Sequence, residues 1–421
     1  MKVLLLGSGG REYTFCHQLA KSPHQPQLFI APGNAGTAQF GTNIEVSPTD
    51  FEGLKQAVLM HQIELIIVGP EVPLVEGVVD FFAADQELSH IPVIGPSKQG
   101  AELEGSKEFA KAFMQRHNIP TATYQSFTKD TLSEGLAYLE TVTPPYVLKA
   151  DGLAAGKGVV ILNDLAEAKA ELTAMLADAK FGEASQKVVI EEFLDGIELS
   201  CFVLTDGKSY KILPMAKDYK RIGEGDTGLN TGGMGAVSPV PFADEAFVQK
   251  IKEQVVAPTM QGLHQDGIPY LGFVFIGLIK VGDNPKVIEY NVRMGDPETQ
   301  VVLPRIQNDL FELLQATASG TLDSVKLSID KRSVSTIVAV SGGYPESYEK
   351  GKAIRGIDPS DFVVHAGTAM VDEELVTSGG RVLSATGVGA DHNQAIAQSY
   401  QALAKIDFEG IYYRKDIGFD L

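Results

Sequence analysis

The sequence is poor in cysteine and has no long apolar run. Its two cysteines, Cys16 and Cys201, lie far apart in apolar surroundings, too few for a disulfide framework and without the spacing of a zinc site. We therefore expect reduced, buried thiols. No apolar run reaches the ~20 residues that a membrane span needs, and the first one, 2–6, is too short for a signal peptide. These absences predict a soluble, cytoplasmic protein.

Positive charge is in the minority. The 35 lysines and arginines face 54 aspartates and glutamates, for a formal net charge of −19. A field of that sign repels nucleic acids and anionic membrane surfaces, so neither is expected as a partner, and any phosphate must be bound by local groups. With 421 residues, 44% hydrophobic and 21% charged, the composition is typical of a globular protein of about three domains.

Short apolar runs alternate with helical patterns in the first quarter of the chain. Strands are predicted at 2–6, 27–31, 65–68 and 91–94, and helices at 12–21, 50–62 and 74–84. This alternation predicts a Rossmann-like, doubly wound α/β domain over residues 1–103.

The remainder predicts two further units, so the fold class is α/β and α+β multidomain. A helix near Ser106 opens a unit at 104–325, in which 124–193 form a small inserted lid and a glycine-rich loop covers 223–235. Predicted strands of this unit lie at 146–149, 159–162, 187–190, 199–204, 272–281 and 286–291, with a helix at 165–180. A small mixed C-terminal domain, 326–421, has predicted strands at 336–340, 362–366 and 380–386.

Glycine-rich turns follow three of the N-terminal strands. The turn Gly7-Ser8-Gly9-Gly10-Arg11 departs from G-x-G-x-x-G, so a dinucleotide site is only weakly indicated, and a bare strand-to-helix turn explains the glycines nearly as well. Arg11 at the helix start favours an anion site for a monophosphate, because backbone N–H groups and the positive end of the helix dipole lie there. The Gly33-Asn34 and Gly69-Pro70-Glu71 turns also follow strands, although turn chemistry alone accounts for each.

A lysine and a glycine-rich hairpin mark the lid. Lys149 ends one strand, and Gly156-Lys157-Gly158 leads into the next, where glycines let backbone amides close over an anion. Because a strand follows, this is not a Walker A loop. We interpret it as a flexible lid over a triphosphate, with a plain hairpin as the alternative. Glu191 and Glu198 flank the end of the next strand, a place suited to adenosine but also a common one for surface acids.

Three polar residues alternate along the strand at 286–293. A period of two places Glu289, Asn291 and Arg293 on one face, with Ile288, Tyr290 and Val292 on the other. Glutamate and asparagine supply the oxygen ligands that Mg²⁺ prefers, and an arginine stabilises a charged phosphoryl group. A solvated strand face is the alternative, less favoured because Gly295-Asp296-Pro297-Glu298 follows directly.

The loop Lys217–Arg221 adds the cations Lys220 and Arg221, and residues 231–235 add a glycine segment. No Ser-His-Asp order, His/Cys metal spacing or reactive cysteine context is found among the 8 histidines and 2 cysteines. Hydrolase, zinc and thiol chemistry are therefore not indicated.

Taken in order, these segments resemble the glycinamide ribonucleotide synthetase family of the ATP-grasp superfamily. The resemblance covers nearly the whole chain, and its last two segments are the most specific. The segments are 31–37, 69–71, 104–107, 149–159, 191–196, 230–236 and 289–300.

The resemblance implies an ATP-grasp fold that clamps ATP and a divalent cation, Mg²⁺ or alternatively Mn²⁺, between the lid and the larger domain. Implied nucleotide contacts are Lys107, Lys149, Gly156, Lys157, Gly158, Glu191, Leu194 and Glu198, and implied metal ligands are Glu289 and Asn291. Implied substrate contacts are Gly9, Gly10, Arg11, Gly33, Asn34, Glu71, Lys220, Arg221 and Asp296, with Arg293 and Lys149 as catalytic residues.

The family reaction phosphorylates the carboxylate of glycine with ATP, and the amine of 5-phosphoribosylamine then attacks the glycyl phosphate. A carboxylate is a poor electrophile, so phosphorylation supplies a leaving group while a closed lid excludes water. Positioning and cations perform this chemistry without a protein nucleophile. We expect glycine and 5-phosphoribosylamine as the partners of a monomeric enzyme of purine biosynthesis.

Two positions depart from the family pattern. Tyr13 and Tyr219 stand where the family usually has histidine, and tyrosine does not titrate near neutrality. We expect activity to persist with altered pH dependence or substrate affinity. The alternatives are an ATP-grasp ligase for another acid and amine, or a non-catalytic nucleotide-binding relative. The presence of Lys149, Glu289 and Arg293 weighs against the second.

Overall fold

The computed structural model describes residues 1–153, 158–178, 180, 182 and 186–421. The chain begins with a five-stranded parallel sheet in the order β3-β2-β1-β4-β5. Its strands are β1 (Lys2–Gly7), β2 (Gln27–Pro32), β3 (Gly41–Asn43), β4 (Leu65–Val68) and β5 (Val93–Ile94). Residues 3–6 are buried without interruption, as expected for a parallel strand covered on both faces.

Four helices connect these strands: α1 (Gly10–Leu19), α2 (Phe51–His61), α3 (Glu71–Glu76) and α4 (Val78–Ala84). The single helix predicted at 74–84 is wrong, because the left-handed φ of +97° at Gly77 separates α3 from α4. The short strand β3 was not predicted, since Gly41-Thr42-Asn43 carries no apolar pattern.

Two consecutive helices lead to the lid. They are α5 (Lys98–Gly105) and α6 (Lys107–Arg116), and the hydroxyl of Ser106 between them caps α6 by accepting the Phe109 N–H at 3.1 Å. The lid is an antiparallel sheet in the order β6-β9-β7-β8. Its elements are β6 (Tyr124–Thr128), α7 (Leu132–Leu139), β7 (Tyr146–Ala150), β8 (Val159–Leu162), α8 (Leu165–Ala177) and β9 (Lys187–Glu191). Both helices contribute to its apolar core.

The central sheet is antiparallel, in the order β11-β10-β16-β17. Its strands are β10 (Ile197–Thr205), β11 (Tyr210–Ile212), β16 (Gly272–Val281) and β17 (Asn284–Asn291). The predicted glycine-rich loop at 223–235 is not a plain loop, because part of it belongs to a β-hairpin. Four short strands lie between residues 217 and 238. These four are β12 (Lys217–Asp218), β13 (Arg221–Gly223), β14 (Thr227–Asn230) and β15 (Gly235–Ser238). The hairpin joins β13 to β14.

Two strands from this region join the C-terminal sheet, whose order is β12-β15-β18-β22-β19. The C-terminal strands are β18 (Ser333–Val340), β19 (Phe362–His365), β20 (Thr368–Val371), β21 (Glu374–Thr377) and β22 (Arg381–Gly389). The other helices are α9 (Glu245–Ile251), α10 (Ala257–Gln265), α11 (Thr299–Val302), α12 (Leu310–Ala318) and α13 (His392–Leu403). The β12–β15 segment therefore ties the central region to the C-terminal sheet.

Both cysteines are buried and unpaired, as predicted. Burial raises the pKa of each thiol, that of Cys201 to about 12, so neither is activated as a nucleophile. Within the part of the chain that the structure describes, no helix is both long and apolar enough to span a bilayer.

Candidate functional site

Arg293 links the N-terminal sheet to the central sheet. Its Nε donates to Oε2 of Glu71 at 3.2 Å, and its Nη2 donates to Oε1 of Glu104 at 2.7 Å. Glu71 is the first residue of α3, directly after β4, whereas Glu104 lies on α5. The guanidinium is thus fixed in place from both sides, where the two sheets meet.

The two acids around Arg293 ionise differently. Burial outweighs the Arg293 guanidinium and raises the pKa of Glu104 to about 7. Burial also opposes ionisation of Glu71, but Arg293 and Arg11 together lower its pKa below the usual range. Glu104 additionally accepts the backbone N–H of Val292 at 2.8 Å, which holds the end of β17. Glu104 was not predicted as a site residue, although it lies at the predicted helix start and within the family-like segment 104–107.

The strand β17 carries two side chains, a carboxylate and an amide, whose oxygen atoms can bind a metal ion. Its pairing with β16 shifts after Gly277, so Ile288 is an extra residue at a β-bulge and is only half-buried. The predicted apolar face is therefore wrong at Ile288. Glu289 and Asn291 do alternate with the buried Tyr290, and neither side chain bonds to any described residue. They fit the oxygen donor set of Mg²⁺.

A buried carboxylate holds two lysines in the lid region. Glu191 on β9 accepts a hydrogen bond from Lys149 on β7, with 2.9 Å between Nζ and Oε2. Lys111 on α6 lies 3.0 Å from the same oxygen. Burial opposes ionisation of Glu191, but the two lysines lower its pKa. Burial lowers the pKa of Lys111 to about 8, despite Glu191.

Lys111 was not predicted, although its spacing of four from Lys107 places both lysines on one face of α6. Lys107 is half-buried and has no bond to any described residue. Gly156 and Lys157 lie outside the described residues. Gly158 is buried, and its carbonyl accepts the N–H of Ala150 at 2.8 Å.

Near the end of β9, Leu194 and Glu198 are both half-buried. Lys220 donates to Oε2 of Glu198 at 2.7 Å, and this lysine lowers the pKa of the carboxyl. Arg221 is instead engaged in its own hairpin, where its Nη1 donates to the Gly228 carbonyl at 2.8 Å. The structure thus joins Lys220, but not Arg221, to the acids beyond β9.

Two further acids, Glu298 and Asp218, influence each other near Arg293 and were not predicted as site residues. Glu298 is 3% exposed, and its Oε1 accepts from the Ser200 hydroxyl at 3.2 Å. Burial, reinforced by the carboxylate of Asp218, raises the pKa of Glu298 to about 7. Burial likewise raises the pKa of Asp218. Their segments are 80 residues apart, so no local spacing reveals the pair.

The first glycine turn packs against the segment after β17. The guanidinium of Arg11 donates to the Met294 carbonyl at 3.1 Å, and its backbone N–H donates to Asp296 at 3.2 Å. Burial opposes ionisation of Asp296, but Arg381 and Arg11 lower its pKa. A Cβ on Gly10 would lie 2.5 Å from the Gln300 amide nitrogen, and one on Gly9 would lie 2.9 Å from an Asp296 oxygen. Both glycines therefore permit this close approach.

The side chain of Asn34 stabilises its own loop. Its amide nitrogen donates to the carbonyls of Ser8 and His365, at 2.8 and 3.1 Å, and its oxygen accepts two backbone N–H groups. All of its hydrogen-bonding groups are used, so it shapes the loop. Gly33 precedes it with a left-handed φ of +74°.

Both tyrosines that depart from the family pattern are packing residues. Tyr13 stacks on His365, with ring centroids 5.5 Å apart, and burial raises its pKa to about 12. Tyr219 is 1% exposed, and its hydroxyl donates to Asp420 at 2.8 Å, while Arg414 lies over its ring. Burial also raises the pKa of Tyr219. Neither hydroxyl ionises near neutrality.

Comparisons with known proteins cover nearly the whole chain. The phosphoribosylglycinamide synthetase models match over most of the chain: the N domain at 1–104, the ATP-grasp (A) domain at 105–299 and the C domain at 334–420. A phosphoribosylamine–glycine ligase of Caldanaerobacter subterraneus is 43% identical over 419 residues, 99% of each chain. One of Pseudomonas syringae is 46% identical over 428 residues, covering 100% of this chain and 97% of its own.

Solved structures give the same result. A phosphoribosylamine–glycine ligase from Thermotoga maritima superposes with a TM-score of 0.86 at 35% identity, covering 99% of this chain and all of its own. A biotin carboxylase domain from Hydrogenobacter thermophilus, in complex with MgADP, shares the fold at a TM-score of 0.74 and 18% identity, covering 98% and 91%. The full-length matches leave one assignment: this chain belongs to the phosphoribosylglycinamide synthetase family and has its ATP-grasp fold.

Proposed function

We propose that this protein is an ATP-dependent ligase of purine biosynthesis that joins glycine to 5-phosphoribosylamine. The products are glycinamide ribonucleotide, ADP and phosphate, formed through glycyl phosphate. The observation that carries the proposal is the position of Arg293, which follows the strand bearing Glu289 and Asn291 and is bonded to Glu71 of the N-terminal unit. A group activated on the central sheet is thereby adjacent to the loops of the N-terminal sheet.

ATP and Mg²⁺ are the cofactors in this proposal, and Mn²⁺ is a substitute that accepts the same oxygen ligands. Glu289 and Asn291 would hold the cation, since both offer oxygens without other partners among the described residues. The bound cation neutralises nucleotide phosphate charge. Lys107, Lys149 and the Gly156-Lys157-Gly158 segment would bind the phosphates, with Glu191, Leu194 and Glu198 around adenosine.

The charged groups around Arg293 are complementary to a zwitterion such as glycine. Asp218, Lys220 and Arg293 each change the pKa of Glu298, so two cations and an acidic pair share this region. Glycine carries one group of each sign, and we propose that its carboxylate faces Arg293 and its ammonium the acidic pair. A cation beside the acyl phosphate stabilises the charge that develops during transfer.

The phosphoribosylamine side lies at the N-terminal loops. We propose that Gly9, Gly10 and Arg11 bind the phosphate and that Glu71 and Asp296 contact the ribose. The Gly33-Asn34 loop would act through its shape, because the Asn34 side chain is already engaged. Lys220 and Arg221 would close this side. We also propose a monomer that works in the cytoplasm.

The test measures ADP release and glycinamide ribonucleotide formation with ATP, glycine and freshly made phosphoribosylamine, omitting each in turn. We expect product only with all three present. Glu289→Gln should lower activity at least ~100-fold while the fold is kept, since a metal ligand is lost. Glu134→Gln, on an exposed turn of α7, is the matched control and should be fully active. ADP release that needs a different acid would favour another ATP-grasp ligase and contradict the proposal.

A further inference from the structure

Two lysines share one carboxylate oxygen in the proposed nucleotide site. Lys149 lies 2.9 Å and Lys111 3.0 Å from Oε2 of Glu191, and all three side chains are almost completely buried. The other oxygen, Oε1 of Glu191, has no hydrogen-bond partner among the described residues. Both lysines therefore balance the negative charge of Glu191 through the same oxygen, Oε2.

The ammonium group of Lys149 cannot keep its full contact with Glu191 while it binds nucleotide phosphates. If it turns to the phosphates, Glu191 remains a buried carboxylate that has lost a partner, which is costly unless another cation stays with it. Lys111 is placed to be that cation. Its Nζ also donates to Oγ1 of Thr121 at 2.8 Å, and Thr121 donates to the Val287 carbonyl on β17 at 2.7 Å. Lys111 is thus fixed to the framework of the central sheet.

We propose that Lys111 is a positioning residue that keeps Glu191 compensated and so releases Lys149 to the nucleotide. This inference rests on the proposed function, in which Lys149 binds phosphate. Without Lys111, Glu191 would have Lys149 as its only cation and would hold it away from the phosphates. Lys111 itself needs no contact with the nucleotide.

The experiment is a double-mutant cycle, measured as the affinity for a non-hydrolysable ATP analogue with Mg²⁺ by titration calorimetry. Lys111→Met should weaken binding about tenfold, within the range of coupling between contacting charged groups. In a Glu191→Gln background the same substitution should change affinity less than about twofold, because nothing remains to capture Lys149. Lys111→Arg should restore most of the affinity. Lys169→Met, at a lid lysine paired with Glu140 on the surface, is the matched control and should have no effect.

Equal losses in both backgrounds would mean that Lys111 contacts the nucleotide directly, and would overturn the inference. Unchanged affinity with a lower unfolding midpoint would overturn it too, since Lys111 would then be purely structural. Should the methionine variant not fold, Lys111→Gln, whose amide N–H can replace the lysine as donor toward Thr121, takes its place in the cycle. If the wild-type protein forms product but the cycle is additive, this inference alone fails. If the wild type binds no analogue, the proposed function fails with it.

Discussion

Substituting Glu298 by glutamine should stabilise the protein at high pH and leave it unchanged at low pH. The side chain is 3% exposed, and burial with the nearby Asp218 raises its pKa from 4.5 to about 7. The folded state therefore binds this proton more tightly than the unfolded state does. Stability from this group is present below about pH 4.5 and is lost as the pH rises through about 7.

The magnitude follows from the size of the shift. Each pKa unit corresponds to about 1.4 kcal/mol, so ionised Glu298 lowers the free energy of unfolding by on the order of 3 kcal/mol. Glutamine keeps the oxygen that accepts from Ser200 but carries no charge. The variant should match the wild type near pH 4.5 and exceed it by up to about 3 kcal/mol at pH 8.

Urea unfolding at half-unit steps from pH 4.5 to 8 provides the assay, with Glu134→Gln as the exposed control. The difference between the Glu298→Gln variant and the wild type should widen between about pH 4.5 and 7 and level off above that, while that of the control stays flat. A difference that is constant, or that shrinks as pH rises, would refute the assignment of a raised pKa to this buried acid. The same variant should have a higher KM for glycine, since the proposed ammonium site has lost a charge.

Three further predictions concern groups that hold the site or the C-terminal sheet. Glu104→Gln should lower kcat ~10- to 100-fold with little change in the KM for ATP, because Arg293 loses the carboxyl group that accepts its hydrogen bond at 2.7 Å and fixes its position. Steady-state kinetics will separate the two constants. Arg414→Met should lower the free energy of unfolding by about 1.5–3 kcal/mol, because this buried guanidinium bonds Asp226 and Asp416, which are both partly exposed to solvent. Urea unfolding measures the loss, and no loss at all would contradict the prediction. Tyr219→Phe should cost about 1 kcal/mol by losing its bond to Asp420, with kcat and its pH profile unchanged; an altered pH profile would show that this hydroxyl takes part in the chemistry.

The sequence predicted strands well where burial is continuous. Residues 65–68 form β4 as predicted, and β16 has its predicted bounds, 272–281, because a long run of apolar residues, interrupted only by Lys280, leaves few alternatives. Helix breaks and bulges were missed. Gly77 adopts a left-handed φ inside an otherwise helical pattern, and Ile288 is inserted into β17 by its pairing with β16. The helix break and the bulge both depend on local backbone geometry, which the spacing of apolar residues does not predict.

The candidate site was only partly visible in the sequence. Glu289 and Arg293 were predicted because a strand period of two places them on one face, although β17 ends at Asn291 and Arg293 lies just beyond it. Lys111 and Glu298 were missed because the role of each depends on a partner far away in the sequence. A lysine on the apolar face of a helix usually extends its charge to solvent, but Glu191 holds the charge of Lys111 in the interior. Pairings across 80 residues of chain come only from the fold.

The most direct test of the reaction follows an oxygen atom. Glycine labelled with ¹⁸O in both carboxylate oxygens is incubated with ATP, Mg²⁺, phosphoribosylamine and the enzyme, and the inorganic phosphate is analysed by mass spectrometry. If the carboxylate is phosphorylated and then attacked by the amine, each phosphate carries one ¹⁸O. Unlabelled phosphate released together with glycinamide ribonucleotide would contradict activation through glycyl phosphate.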